Sequence, residues 1–185
     1  MAPSALTPTG RVILGMIALG RQTGYDIKQF VDKSTRHFWA ASYGQIYPEL
    51  RRLEEQGLIA GQSEPTGGRA RTVYELTDTG RSALHDWLDP EPDPMFEVRD
   101  EGMLKLFFSD LGTSEQRIEN IRAMRELHER TLAQLCAVRE VHDESGQMPQ
   151  GPRMTLELGI GLHRGIVEWC KAAERTLSEE RPDAD

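Results

Sequence analysis

Ser42-Tyr-Gly-Gln-Ile-Tyr-Pro-Glu-Leu-Arg-Arg-Leu-Glu-Glu-Gln-Gly57 is a segment whose helical pattern contains two residues that weaken helices. Ile46, Leu50 and Leu53 recur at the spacing of one helix face. Gly44 costs up to about 1 kcal/mol relative to alanine in a helix interior. Pro48 lacks an N–H and crowds the preceding turn, which costs about 3 kcal/mol. A helix built from such residues must gain its stability from tertiary packing.

A helical wheel separates the apolar residues of this segment from the weak helix formers. With Ile46 placed at 0° and a turn of 100° per residue, Leu50 and Leu53 lie within about 40° of it. The opposite face carries four residues, with Tyr47 and Arg52 at its edges: Gly44, Pro48, Arg51 and Glu55. The sequence therefore predicts that Ile46 faces the protein core and that Gly44, Pro48 and Arg51 face outward.

The surrounding sequence predicts helices before this segment and a β-hairpin after it. Thr23-Gly-Tyr-Asp26 fits a capping box, and Ser42 and Gly57 suit the two ends of the third helix. The expected elements are, in chain order, a helix over 11–19, a helix after Thr23, the helix after Ser42, strands over 58–64 and 70–76 around the turn 65–69, and a helix that Thr77 caps and that continues to Leu88.

The second half of the chain is predicted to be helical. Asp89-Pro-Glu-Pro-Asp-Pro94 cannot continue a helix and divides the chain into a domain over 1–90 and a domain over 91–185. Helices are expected over 96–110, from the capping box at Thr113 to about residue 145, and over 154–177, with a loop over 146–153. The long middle helix exceeds what a small domain can cover, so its apolar stripe is expected to meet a second copy of the chain.

Charge and composition limit the classes of protein that fit. The 185 residues carry a net charge of −8, but residues 1–90 hold ten basic and ten acidic residues, so the excess acid lies in the second half. A basic surface on the first half is therefore compatible with the acidic total. No apolar run is long enough for a membrane span, the first residues lack a secretory signal, and Cys136 and Cys170 form no disulfide framework. We expect a cytoplasmic protein.

Three helices followed by a two-stranded ribbon are the element order of a winged helix-turn-helix, whose third helix enters the DNA major groove. Small residues on the outward face let the backbone approach a duplex, tyrosines and arginines can contact phosphates, and Gln45 can reach a base edge. Glycines at the hairpin tip permit positive φ, and the arginines beside them can reach the backbone or minor groove. The predicted DNA-contacting residues are Ser42, Tyr43, Gly44, Gln45, Tyr47, Pro48, Arg51, Arg52, Gly67, Gly68, Arg69 and Arg71.

Two motifs resemble the PadR family of bacterial transcriptional regulators. One is the run from Tyr43 to Ile59, with its Tyr-Pro-x-Leu-x-x-Leu-Glu-x-x-Gly-Leu-Ile pattern, and the other is the wing from Gly67 to Gly80. The helices after residue 96 are similar to the C-terminal dimerisation domain of the longer PadR subgroup. The resemblance implies a homodimeric repressor on a palindromic operator, released by a small and often aromatic effector. Activation instead of repression stays open.

An effector site is the second functional hypothesis. Trp169 lies on the last helix, where core packing is the simpler interpretation and an aromatic-lined pocket between the two domains is the alternative. The residues expected to line such a pocket are Phe107, Met124, His128 and Trp169.

Other chemistries have little support in the sequence. The five histidines lack metal-ligand spacing, and no carboxylate pair or nucleophile constellation suggests an enzyme, so neither a metal nor a cofactor is expected. Gly159-Ile-Gly-Leu-His-Arg-Gly165 mimics a dinucleotide fingerprint but follows no strand, so close helix packing at a dimer interface is the favoured interpretation. A winged helix that binds proteins and never touches DNA remains the main alternative function.

Overall fold

The computed structural model describes residues 6–35, 38–64, 71–89, 98–146 and 148–179. These residues form seven α-helices and one two-stranded antiparallel hairpin, which confirms the predicted mainly α fold. The chain divides into two compact units, Met1–Met95 and Phe96–Asp185. The expected domain boundary at residue 90 lies outside the described residues.

The first unit packs three helices, a hairpin and a fourth helix around one core. Its elements are α1 (Pro8–Ala18), α2 (Gly24–Lys33), α3 (Tyr43–Glu55), β1 (Ile59–Glu64), β2 (Arg71–Leu76) and α4 (Asp78–Leu88). The strands pair with Ile59 opposite Leu76 and Glu64 opposite Arg71. Apolar side chains from helices and strands form the core, including Ile13, Leu14, Ile27, Val31, Ile46, Leu50, Leu53, Ile59 and Leu76.

Helix α1 begins three residues before its predicted start at Arg11. Thr7 is the N-cap, and its hydroxyl accepts a hydrogen bond from the Gly10 N–H at 3.0 Å. Pro8 occupies the first helical position, where its missing N–H costs nothing because the first N–H groups of a helix lack partners in any case. The Thr-Pro pair is therefore the start signal that the apolar pattern alone did not reveal.

The ends of α2 and α3 follow the predicted caps. The Thr23 hydroxyl accepts from the Asp26 N–H at 3.1 Å, and Ser42 is the N-cap of α3. After α3 the chain turns at Gly57, whose φ of 69° lies in the left-handed region that favours glycine. Helix α3 thus starts and stops where the sequence predicts, with Pro48 inside it.

Helix α5 is shorter than predicted. The expected helix over 96–110 is an α-helix over Glu101–Phe107, followed by a 3-10 turn over Ser109–Leu111, while residues 98–100 are not helical. The reason is a cap: the Asp100 carboxylate accepts from the Met103 N–H at 2.9 Å and starts the helix there. Residues 96 and 97 lie outside the described part of the chain.

Helices α6 (Ser114–Ser145) and α7 (Gln150–Glu179) form an antiparallel pair. The predicted capping box at Thr113 is present, and Gly146 ends α6 with a φ of 63°. Helix α7 starts at Gln150 and not at Met154, because Pro152 falls in the first turn, where proline is tolerated. No helix in the described part of the chain combines the length and apolar character of a membrane span.

The packing of α4 on the start of β1 leaves no room for a side chain at Gly80. The Gly80 N–H donates to the Thr77 hydroxyl at 3.0 Å, and a Cβ at Gly80 would overlap the backbone carbonyl of Leu58. Because backbone atoms cannot rotate away as a side chain can, the overlap can be relieved only by shifting α4 or β1.

We therefore predict that Gly80→Ala lowers the free energy of unfolding by about 3 kcal/mol, at the upper end of the usual cost of overpacking. Gly15→Ala is the matched control, because a Cβ at Gly15 meets no atom within 4 Å. That change should be neutral or stabilise by up to about 1 kcal/mol through helix propensity. Urea unfolding followed by circular dichroism measures both, and equal midpoints for the two variants would contradict the prediction.

Candidate nucleic-acid interface

Helix α3 has a fully buried face and an exposed face. Ile46, Leu50 and Leu53 are 0% exposed. The four residues that the wheel places on the opposite face are all exposed: Gly44, Pro48, Arg51 and Glu55. At the edges of that face Tyr47 is exposed and Arg52 is half-buried, and in the first turn Tyr43 and Gln45 are exposed as well. A Cβ at Gly44 would meet only the Ser42 hydroxyl, at 3.8 Å, so the backbone is open to an approaching partner here. The register of the helix is therefore the one that the wheel predicts.

Two tyrosines form an aromatic ridge on this exposed face. The rings of Tyr43 and Tyr47 stack with centroids 6.1 Å apart, and both side chains are about two-fifths exposed, at 42% and 44%. The Tyr47 ring lies so close to Gly24 that a Cβ there would be 2.7 Å from it, which anchors the ridge on α2. The Lys28 ammonium lies 5.6 Å from the Tyr43 ring centroid and pairs with Asp32. Hydroxyls held in this way are suitable donors to phosphate oxygens.

Arg51 is the arginine of α3 with the least internal attachment. Its side chain is exposed, and no carboxylate of the described residues pairs with it. It lies near Tyr74 at the base of the hairpin. Burial and the Glu54 carboxylate raise the pKa of Tyr74, whereas the Arg51 charge acts in the opposite direction. A guanidinium without a carboxylate partner can bind phosphate or a base edge without first breaking an ion pair.

Arg52 lies in a different environment from the one the sequence suggested. Its Nη2 and Nε bind the Glu49 carboxylate at 2.7 and 3.0 Å, and the Thr7 hydroxyl donates to the same carboxylate. Burial raises the pKa of Glu49, but the hydrogen bonds from Arg52 and Thr7 and the Arg52 charge outweigh it, so the net pKa lies below its ordinary value. Arg52 is half-buried and engaged inside the protein, so we do not propose it as a DNA contact.

Gln45 and Ser42 are also linked to each other. The Ser42 N–H donates to Gln45 Oε1 at 2.9 Å, and the Ser42 hydroxyl lies 3.0 Å from the same oxygen. The side chain expected to reach a base edge therefore caps the helix in the free protein. Contact with a base through this oxygen would require the cap to open.

The hairpin is attached firmly to the rest of the unit at its base. The Gly61 N–H donates to Glu54 Oε1 on α3 at 3.0 Å, and the Tyr74 N–H donates to the Gln22 carbonyl before α2 at 2.7 Å. At the end of the described strands Arg71 pairs with Glu64 at 3.0 Å. The predicted tip residues Gly67, Gly68 and Arg69 lie outside the described residues.

The four predicted effector residues divide into two groups within the second unit. Met124 and His128 are buried, with Met124 packed against Ile121 and Cys170. Phe107 and Trp169 are 79% and 48% exposed. The Nδ1 atoms of His128 and His163 are 2.7 Å apart, and His128 Nε2 lies 3.9 Å from the Asp100 carboxylate.

Thr7, Glu49 and Glu54 position α3 but were not predicted from the sequence. For Thr7 a signal existed, because threonine followed by proline marks a helix start. The two glutamates look like solvated charges in the sequence, and only the fold brings them to Thr7 and Gly61.

Comparison with known proteins agrees with this architecture. Residues 13–86 match the PadR-like transcriptional regulator family, and residues 98–178 match the C-terminal domain called virulence activator alpha. The negative transcriptional regulator PadR of Bacillus subtilis is 40% identical over 100 residues, which span 52% of this chain and only 53% of that protein.

The whole fold also matches solved structures. The structure of Bacillus subtilis PadR in complex with operator DNA aligns with a TM-score of 0.80 and 26% identity, covering 90% of this chain and 97% of that one. The structure of the same protein in complex with p-coumaric acid aligns with a TM-score of 0.73 and 25% identity, covering 91% and 97%. The chain therefore carries a PadR-like transcriptional regulator domain followed by a virulence-activator-alpha C-terminal domain.

Proposed function

We propose that this protein is a homodimeric, ligand-responsive transcriptional repressor that binds a palindromic DNA operator. The observation that carries the proposal is the two-faced helix α3, which buries Ile46, Leu50 and Leu53 and exposes Gly44, Pro48 and Arg51. Two observations on relatives support the repressor function. One relative of the same fold was crystallised in complex with operator DNA, and one relative is named a negative transcriptional regulator. A protein that acts on bacterial DNA works in the cytoplasm.

Helix α3 is suited to the major groove, and the hairpin to the backbone beside it. Glycine and proline add no long side chain, so the duplex can approach the helix backbone closely. Tyr43 and Tyr47 provide hydroxyls for phosphates or base edges, and Arg51 provides a guanidinium that pairs with no carboxylate of the described residues. Arg71 pairs with Glu64 in the free protein, so it joins the interface by exchanging a carboxylate for a phosphate.

The second unit supports dimerisation because its helices carry apolar faces that the unit does not cover. Helix α7 exposes a row at helical spacing, interrupted by two glycines: Met154, Leu158, Gly161, Leu162, Gly165 and Trp169. Gly161 and Gly165 have no neighbouring atom within 4 Å of a Cβ position, so a second helix can approach closely there. Helix α6 exposes Leu127, Val138 and Val141 in addition. Exposed apolar area of this extent is typical of a protein interface.

The proposed ligand response is supported by a relative of the same fold. A relative binds p-coumaric acid, a small aromatic acid, so we propose a ligand of that class here. Phe107, Met124, His128 and Trp169 remain our candidates for contacting it. Such a ligand releases the operator only through different affinities for the bound and free forms of the dimer. Adding p-coumaric acid to the complex of the protein with its operator tests the ligand response, because release of the DNA should lower the fluorescence anisotropy.

We predict that Arg51→Ala weakens operator binding about tenfold and lowers the salt slope of log K by about 1, because one guanidinium–phosphate contact is lost. Fluorescence anisotropy with DNA from upstream of the protein's own gene measures both quantities. Arg81→Ala is the matched control, because it removes the same charge from α4, where Arg81 pairs with Asp78. Equal losses in the two variants would show that α3 is not the reading surface. A wild-type protein that binds no DNA would favour the protein-interaction alternative.

We predict that Leu162→Glu converts the dimer to monomer, because a carboxylate would be buried without a partner at the interface. Light scattering after gel filtration should give twice the chain mass for the wild type and a single chain mass for the variant. Leu88→Glu places the same charge on the exposed side of α4 in the first unit and should stay dimeric. A dimeric Leu162→Glu protein would exclude the exposed face of α7 from the interface.

A further inference from the structure

We propose that Thr7 and Glu49 form a clamp that sets the position of α3 on α1 and thereby controls how well the protein distinguishes its operator from other DNA. Both are positioning residues, since neither is placed on the DNA-facing side. The inference rests on the proposed function and adds to it a determinant of specificity outside the reading surface.

The clamp joins two helices through one carboxylate. The Thr7 hydroxyl accepts from the Gly10 N–H at the start of α1 and donates to Glu49 Oε1 on α3. The same carboxylate receives Nε and Nη2 of Arg52, at 3.0 and 2.7 Å. Because the Glu49 side chain is only 12% exposed, water cannot replace these partners without movement of the helix. One hydroxyl thus fixes the start of α1 and the middle of α3 together.

Gly10 shows how close the two helices come at this point. A Cβ at Gly10 would lie 2.7 Å from Glu49 Oε1 and 3.5 Å from Leu53 Cδ2. On the other side of α3, Tyr47 rests on Gly24 of α2. Helix α3 is therefore held from two sides, by a polar clamp at Glu49 and by ring packing at Tyr47, with the residues that face DNA between them.

The position of α3 matters more for base recognition than for phosphate contact. Hydrogen bonds to base edges need aligned donors and acceptors and weaken steeply when the angle is lost. Contacts from long side chains to phosphates are electrostatic and tolerate small shifts. Loosening the clamp should therefore reduce affinity for the operator more than affinity for unrelated DNA.

The test compares dissociation constants of the full-length protein for its operator and for a scrambled duplex of the same length, at one salt concentration. Thr7→Val and Glu49→Leu should lower the operator-to-scrambled affinity ratio about fivefold, the loss expected from one hydrogen bond. Binding to the scrambled duplex should change less than about twofold. Thr7→Ser keeps the hydroxyl and should retain the ratio of the wild type.

Thr113→Val separates positioning from general loss of stability. Thr113 caps α6 as Thr7 caps α1, and its hydroxyl accepts from the Gln116 N–H at 3.1 Å. This control should lower the unfolding midpoint, as Thr7→Val does, but leave the affinity ratio unchanged. Unchanged ratios in Thr7→Val and Glu49→Leu would overturn the proposal, and so would tighter binding of both duplexes by Glu49→Leu, which would mean that Glu49 only keeps Arg52 away from phosphates. Failure of the wild type to prefer its operator would instead refute the proposed function.

Discussion

The burial of Ile46, Leu50 and Leu53 against α1, α2 and the hairpin is the interaction on which the rest of the first unit depends. Fully burying a side chain of this kind contributes about 1.5–3 kcal/mol, so the three together offset the cost of Gly44 and Pro48 within one helix. Because a helix has fixed angular spacing, fixing these three positions also fixes the direction of every other residue of α3. The outward face could therefore vary for function while the inward face held the helix in place.

Periodicity and caps predicted the elements of this chain well, since both are local properties. Local residues within one turn explain why α3 begins after Ser42 and ends before Gly57, and why α6 begins after Thr113. The predicted starts of α1 and α5 were wrong because a polar N-cap, Thr7 in α1 and Asp100 in α5, determines where the helix begins, and the apolar pattern does not.

Side-chain partners could not be predicted from the sequence, because they depend on distant segments. The outward direction of Arg51 follows from the helix alone. Arg52 and Glu49 are three residues apart on the same helix, but the hydrogen bond from Thr7 to Glu49 requires α1 to pass close to α3 at Gly10, which no local pattern reveals. The exposed apolar rows of α6 and α7 are a second example. Their pattern indicates a surface for a partner, but it does not show which residues of the two partners contact each other.

The ion pairs of the first unit have a consequence for how such a protein would search a chromosome. Half of the eight lysines and arginines that the structure describes in this unit already face a carboxylate of the same unit: Lys28, Arg52, Arg71 and Arg81. Non-specific attachment to DNA depends almost entirely on such charge. These four cations can reach a phosphate only by leaving a carboxylate, so they contribute less to attachment on random sequence than cations without such a partner would.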